Sequence, residues 1–343
     1  MPRPVLITTD LDRTLIFSSR ATAQLGGALP ADPVEMLGVR TAARQTAAGQ
    51  TAGELCRAAR DALAALPGHA RICVATSRSI IRLRRLRLPF AVPYAIAANG
   101  GVVLVNGEPD PEWMARIAGL VGRAAPAAEV RAVLAGAGDS SAGFARAGVR
   151  GWDAGLAASG ATAGPHWLVR MGDEDDMCCL AIVEPGLLPP ADLATIAGQC
   201  MELGWEASLI GRKLYAFPAG FGKEHAAAFV AKKVAAEVGA EPLRLAAGDT
   251  EHDRLMLAQA DQAWVPAGSD LAARRPGAFA VTSQPGHAAA AQITQEWLNA
   301  CLAGYDSLAT LRSCRTPMLE ALRNPHFDDR LAGDAEALGL PIE

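Results

Sequence analysis

Asp10-Leu11-Asp12-Arg13-Thr14 places two carboxylates two positions apart, just after the short apolar run Val5-Leu6-Ile7. On a straight strand such residues share one side, and their charges repel. Either a bound divalent cation removes that cost, with hard oxygen ligands suiting magnesium, or the chain turns and leaves the second carboxylate as a proton donor. Alone, the pattern decides nothing, because acidic residues at strand ends are common. A second segment gives it weight. Gly248-Asp249-Thr250-Glu251-His252-Asp253 follows another apolar run, Leu243 to Ala247. Asp249 falls at the end of that run, and Asp253 lies where a helix is expected to start. Thr76 ends a third run, and its hydroxyl can donate to an anion. Lys223 opens a long helical segment, where its ammonium and the free N–H groups of the first turn both favour an anion. Carboxylates, a divalent cation, a hydroxyl and a lysine are the materials of phosphoryl transfer.

These groups are far apart in sequence, so the fold must gather them. Pro4 to Thr9, Arg71 to Ala75, Tyr94 to Ala98, Leu243 to Ala247 and Gln262 to Val265 read as short buried strands. Helical segments separate most of them, including a long one from Gly222 to Val238. Thr51-Ala52-Gly53-Glu54 fits a capping box and predicts a helix from there to Leu66. Strands alternating with helices imply a doubly wound α/β core around a parallel sheet. In open parallel sheets ligands bind beyond the carboxyl ends of the strands, so the four acidic residues, Thr76 and Lys223 are expected to meet at one edge. From 108 to 211 the pattern changes to strands at His166–Met171 and Cys178–Val183 with an Ala/Gly-rich helical stretch, an inserted α/β module that a hairpin strand at Lys213–Phe217 closes. The predicted organisation is a discontinuous core at 1–107 and 212–300, a cap at 108–211 and a helical C-terminal appendage at 301–343. Ile16 to Gln50 is irregular and is expected to form an extra flap.

Composition narrows the function classes. The chain of 343 residues is half hydrophobic and one-fifth charged, an ordinary globular balance, with a formal charge of −4 that argues against a nucleic-acid partner. Its longest apolar stretch, Pro89 to Val105, is broken by Pro93, Asn99, Gly100 and Gly101, so no membrane helix is expected. Val5 to Ile7 is too short an apolar run for a signal peptide. Seven cysteines without a Cys-x-x-Cys pair read as small buried groups in a reducing cytoplasm, not as a disulfide framework or zinc site. Nothing in the residues sets the oligomeric state.

The set Asp10-x-Asp12-x-Thr14, Thr76, Lys223 and Gly248-Asp249-x3-Asp253 resembles the haloacid dehalogenase superfamily of phosphatases. The context Val74-Ala75-Thr76-Ser77-Arg78, Asn99-Gly100-Gly101 and Pro218-x3-Gly222-Lys223 agrees, and the insertion's position resembles the Cof-type branch that includes sucrose-phosphate phosphatases. The resemblance covers roughly residues 1–300. It implies that Asp10 is the nucleophile, that Asp12 protonates the leaving alcohol and then activates water, and that Thr76 and Lys223 hold the phosphoryl oxygens. It also implies Mg2+ bound by Asp10, the Asp12 carbonyl and Asp249, with Asp253 supporting the metal's waters or Lys223. The implied substrate is a small phosphorylated metabolite, a phosphosugar. Arg78, Asn99, Trp167 and Arg212 are candidate substrate contacts, and Lys213 is a weaker rival for the lysine role. Arg13, Ser77 and His252 depart from the family's usual Gly, Gly and Asn and bear on substrate pose. A phosphomutase, a halide-releasing enzyme and a non-catalytic binding protein are the alternatives on the same fold. Asp12 disfavours the second, and the intact carboxylates and lysine disfavour the third.

Overall fold

The computed structural model describes residues 3–25, 34–38, 51–136, 165–172 and 177–303. In chain order the elements are β1 (Val5–Thr9), α1 (Ser19–Leu25), β2 (Val34–Gly38), β3 (Thr51–Cys56), α2 (Arg57–Ala64), β4 (Ala70–Ala75), α3 (Ile80–Arg84), β5 (Tyr94–Ala97), β6 (Val102–Val105), β7 (Glu108–Pro109), α4 (Pro111–Val121) and α5 (Ala127–Leu134). They continue as β8 (Leu168–Met171), β9 (Cys179–Val183), α6 (Pro190–Glu202), β10 (Trp205–Ile210), β11 (Lys213–Pro218), α7 (Lys223–Val238), β12 (Leu243–Ala247), α8 (Arg254–Ala258), β13 (Gln262–Val265), α9 (Asp270–Arg274), β14 (Ala280–Val281) and α10 (Gly286–Leu302).

The chain divides into two compact units, one holding residues 1–78, 82–114 and 222–343, the other 79–81 and 115–221. In the larger unit an eight-stranded sheet runs β14-β13-β12-β1-β4-β5-β6-β7. Pairing is parallel from β14 to β5 and antiparallel at β6 and β7. The mainly parallel α/β core is the fold class expected from the sequence. β1 is buried at every position, which is why its residues are apolar or Thr instead of alternating. It lies between β4 and β12: the chain first fills the sheet on one side of β1 with β4 and β5, and later fills the other side with β12, β13 and β14. That is the switch point at which an open parallel sheet leaves a crevice. α7 packs on β1, β4, β5 and β6.

The smaller unit carries a four-stranded antiparallel sheet, β10-β11-β9-β8. Its core gathers Val130 and Leu134 of α5, Ile196 and Cys200 of α6, and Trp167, Leu168, Trp205 and Leu214 around the sheet. Trp205 Nε1 donates to the Ala125 carbonyl at 2.9 Å, so the indole is buried with its polar atom satisfied.

Two expectations are corrected. Thr51 to Glu54 does not open a helix. Glu54 exchanges backbone hydrogen bonds with Phe17 at 2.7 and 3.0 Å, and β3 pairs antiparallel with β2. A local capping pattern gives way here to strand pairing, and α2 begins at Arg57 with no side-chain cap. α1 and β2 occupy part of the 16–50 segment. Residues 26–33 and 39–50 of the expected flap, the acidic run Asp173–Asp176 and the appendage beyond 303 lie outside the described residues. Six described cysteines, Cys56, Cys73, Cys178, Cys179, Cys200 and Cys301, are buried thiols not joined in disulfides. No helix among the described residues is long and apolar enough to cross a membrane.

Candidate active site

Three strands deliver side chains to one edge of the parallel sheet. β1 and β4 pair with Thr9 opposite Val74, and β1 and β12 with Thr9 opposite Ala247. Asp10, Thr76 and Asp249 therefore each follow a strand's carboxyl end by one or two residues, and all three are buried. The Asp10 N–H donates to the Ala247 carbonyl at 2.9 Å, which fixes the first acidic loop to the strand that carries the last.

Lys223, the first residue of α7, is buried and joins two of the carboxylates. Its Nζ donates to Asp10 Oδ1 at 2.7 Å and to Asp253 Oδ1 at 2.6 Å. Asp253 Oδ2 accepts from the Asp249 N–H at 3.1 Å and from the Thr250 N–H and Oγ1, both at 3.0 Å. The Thr250 side chain closes the reciprocal bond of a capping box over the turn Glu251–Asp253. Asp253 thus spends both oxygens on Lys223 and its own loop. Of the two supports open to it, the one it makes here is to Lys223. Gly248 is required because a Cβ there would sit 2.4 Å from Asp253 Cβ. At the entrance to α7, a Cβ on Gly100 would lie 2.3 Å from the Gly222 carbonyl.

Asp10, Asp249 and Asp253 can each place an oxygen within 4.8 Å of the others, all three buried. When ionised they place three negative charges around one buried ammonium, which bonds Asp10 and Asp253. Burial raises Asp10 to about 7 despite the opposing pull of Lys223. Burial likewise lifts Asp249 well above the carboxylate range, with Asp10 and Asp253 adding to the effect. For Lys223 burial works downward, but Asp10 and Asp253 outweigh it and raise the ammonium further. A divalent cation fits such a donor set: it supplies the missing charge, and Asp10 and Asp249 offer it hard oxygens.

The remaining sequence candidates separate. Thr76 Oγ1 accepts from the Arg78 N–H at 3.2 Å, which leaves its O–H to donate. Asp12 is held by Arg78 in a fork, Nε to Oδ2 at 2.7 Å and Nη2 to Oδ1 at 2.6 Å. Asn99 has φ 55° and a buried side-chain carbonyl without a hydrogen-bond partner, as does the Thr14 hydroxyl. Trp167 is not a surface contact; it is 2% exposed in the apolar core of the smaller unit, because a side chain of that size is worth more buried. Arg212 lies in the β10–β11 turn and bonds the Val183 carbonyl at 3.2 Å and Glu184 Oε2 at 3.1 Å. Lys213 stands 5.8 Å over the Tyr215 ring, in the same hairpin. Of the departures, Arg13 adopts φ 68°, the left-handed region that explains a usual Gly there. His252 is kept neutral, pushed down to about 4 by burial and by Lys223.

Sequence reasoning missed the turn Ala98-Asn99-Gly100, where all three residues have positive φ: 48°, 55° and 108°. The Asn-Gly dipeptide was its available signal. It also missed the pairing of Asp12 with Arg78, which only the adjacency of β1 and β4 reveals.

No family model matches the sequence, and no curated protein matches it. Solved structures do. The sucrose-phosphatase of Synechocystis is 14% identical, with 87% of this chain and 98% of that one covered and a TM-score of 0.51. A phosphatase of the haloalkanoate enzyme superfamily from Bacteroides thetaiotaomicron is also 14% identical, over 86% of this chain and 95% of that one, with a TM-score of 0.46. The chain is thus built on the fold of sucrose-phosphatase, the haloacid dehalogenase phosphatase fold that its acidic motifs resemble.

Proposed function

We propose that the protein is a magnesium-dependent phosphatase of small phosphomonoesters, of the phosphosugar class, acting in the cytoplasm through an aspartyl-phosphate. The buried Asp10–Lys223–Asp253 chain beside Asp249 carries this reading. A carboxylate held by an ammonium, at the switch point of a parallel sheet and short of positive charge, is suited to receive a phosphoryl group with its counter-cation. The likeness to a sucrose-phosphatase solved with sucrose and phosphate supports the substrate class, and the buried thiols not joined in disulfides support a reducing compartment.

Asp10 attacks phosphorus with the carboxylate oxygen not held by Lys223, and the ester P–O bond breaks. Asp12 gives the departing alkoxide its proton. Asp12 then takes a proton from water as the water oxygen attacks phosphorus, which frees phosphate and restores Asp10. Lys223 and the Thr76 hydroxyl hold phosphoryl oxygens, and the free N–H groups at the start of α7 favour the same charge. Asp10 and Asp249 would hold magnesium, with the Asp12 carbonyl as the third protein ligand that the resemblance implies. Bound there, the metal supplies positive charge against the transferring phosphoryl group. The test is a screen of phosphorylated metabolites with and without magnesium, followed by acid-quench trapping of labelled protein. Release of phosphate with label on Asp10 is expected. Turnover without label on Asp10, or undiminished in EDTA, would overturn the reading.

A further inference from the structure

The sequence assigns Arg78 to the substrate; the geometry gives it another task. Its Nε and Nη2 are both engaged with the two oxygens of Asp12, at 2.7 and 2.6 Å, with side-chain exposures of 18% and 33%. Paired parallel bonds of this kind fix the plane of the carboxylate as well as its position. The backbone that carries Arg78 is itself clamped. Its N–H donates to Thr76 Oγ1 at 3.2 Å, and its carbonyl accepts from the Ala98 N–H at 2.8 Å. The Asn99 N–H donates to the Thr76 carbonyl at 3.1 Å, so one turn grips both residues.

That turn is the strained Ala98-Asn99-Gly100. Ala and Asn at positive φ persist only where surrounding contacts over-determine them. The contacts here are the two bonds to Thr76 and Arg78, the Trp113 Nε1 bond to the Gly100 carbonyl at 3.0 Å, and the close approach of Gly100 to Gly222. Strain is thus held at the point that aims Arg78 at Asp12.

We propose that Arg78 is a positioning residue for Asp12: its guanidinium fork orients the carboxylate for proton transfer to the leaving oxygen and from water, instead of binding the substrate. The proposal rests on the phosphatase reading, in which Asp12 is the acid and base. Arg and Lys differ here, since only the planar fork engages both oxygens in one orientation.

The experiment compares kcat/KM for two kinds of ester with magnesium present. Glucose 6-phosphate and β-glycerol phosphate release an alkoxide that needs a proton. para-Nitrophenyl phosphate releases a stabilised phenolate that does not. Proton transfer by a positioned acid contributes on the order of a hundredfold or more. Arg78→Ala is expected to cost about that much on the alkyl esters and less than about fivefold on the aryl ester. Asp12→Ala should show the same split, and the double variant should lose little beyond either single one. Arg78→Lys should follow Arg78→Ala on the alkyl esters. It also serves as the second variant should the alanine protein fail to fold by circular dichroism. Equal losses on both esters with a raised KM would return Arg78 to the substrate's phosphoryl group and overturn the proposal. Full recovery in Arg78→Lys would also overturn it, since charge alone would then suffice. A wild-type protein that hydrolyses no phosphomonoester would sink the phosphatase reading, and Arg78's role with it. An active wild type with equal losses would sink only the latter.

Discussion

The two units spend their buried volume differently. Among the described residues, every buried acidic, basic or histidine side chain belongs to the larger unit: Asp10, Asp110, Lys223, Glu224, His225, Asp249, Asp253 and His287. The smaller unit's core is Trp, Leu, Val, Ile, Ala, Met and Cys. Burying a charge is costly unless it is paired, and among the described residues only the larger unit accepts this cost. The described core of the smaller unit is apolar throughout. Substitutions should divide along the same line. Those in the acidic cluster should remove turnover, and those in the smaller unit should alter stability or substrate preference.

The largest expected effect is at the proposed nucleophile. Asp10→Asn should lower kcat by about a thousandfold or more while keeping the fold, because an amide is a poor nucleophile toward phosphorus. An active preparation in which the variant keeps a tenth of the wild-type rate would remove Asp10 from that role and break the division between the units.

Next is Lys223, whose ammonium is the only one bonded to two buried carboxylates among the described residues. Lys223→Met leaves those carboxylates uncompensated, and such losses cost about 3–5 kcal/mol of stability. Denaturant unfolding at neutral pH measures it. The loss should shrink in acid, where the carboxylates take up protons. A loss under about 1 kcal/mol would mean that the cluster is not the interdependent unit its hydrogen bonds describe.

A third test uses the proton held by Asp10. Its folded value, about 7, lies above that of an unfolded Asp. Its contribution to stability in metal-free protein is therefore fully present below the ordinary carboxylate range, and is lost as pH rises through about 7. Magnesium must displace that proton, so affinity should rise about tenfold per pH unit toward 7, or about 1.4 kcal/mol per unit, and then level. Asp249, also raised, works in the same direction. The gain in Tm on adding magnesium should therefore be larger at pH 8 than at pH 5. His252, kept neutral by a lowered value of about 4, acts on metal-free and metal-loaded protein alike, so the difference isolates the carboxylates. A gain independent of pH would place the metal elsewhere.

How much of this was legible in the sequence follows from the same contrast. Asp10, Asp249 and Thr76 could be placed because a polar residue just after an apolar strand is conspicuous, and parallel strands bring such ends together whatever the loops between them do; Asp253 followed from its spacing of four from Asp249 at an expected helix start. Lys223 was legible because a helix start and a cation coincide. Arg78 was conspicuous as a charge, but its partner depends on which strands are neighbours. Trp167 misled for the opposite reason. An aromatic in a cap strand has the same local sequence whether it faces a ligand or a core, and burial decides between them only once the sheet is assembled. The capping pattern at Thr51 to Glu54 failed because Phe17, more than thirty residues earlier in the chain, claims the Glu54 backbone.

The smallest effect concerns Arg212, and it asks whether the smaller unit does more than pack. Its side chain is 29% exposed, and Glu184, its ionic partner, is 51% exposed, so solvent screens the pair. Such pairs contribute about 0–1 kcal/mol, and Arg212→Ala should unfold close to wild type. Trp167→Ala, in the same unit, removes a side chain from the core and should cost about 3–5 kcal/mol. If Arg212 touches the leaving group, its loss should change the ratio of kcat/KM for two phosphosugars by more than about threefold, roughly 0.7 kcal/mol, and leave para-nitrophenyl phosphate nearly unaffected. If Arg212 only braces the hairpin through the Val183 carbonyl and Glu184, the ratio stays flat and the effect is confined to a small loss of stability. Measuring both variants against both phosphosugars separates the outcomes. A moved ratio in Arg212→Ala with intact stability makes the hairpin a specificity element. A flat ratio there, with stability lost in Trp167→Ala, leaves the smaller unit as packing alone.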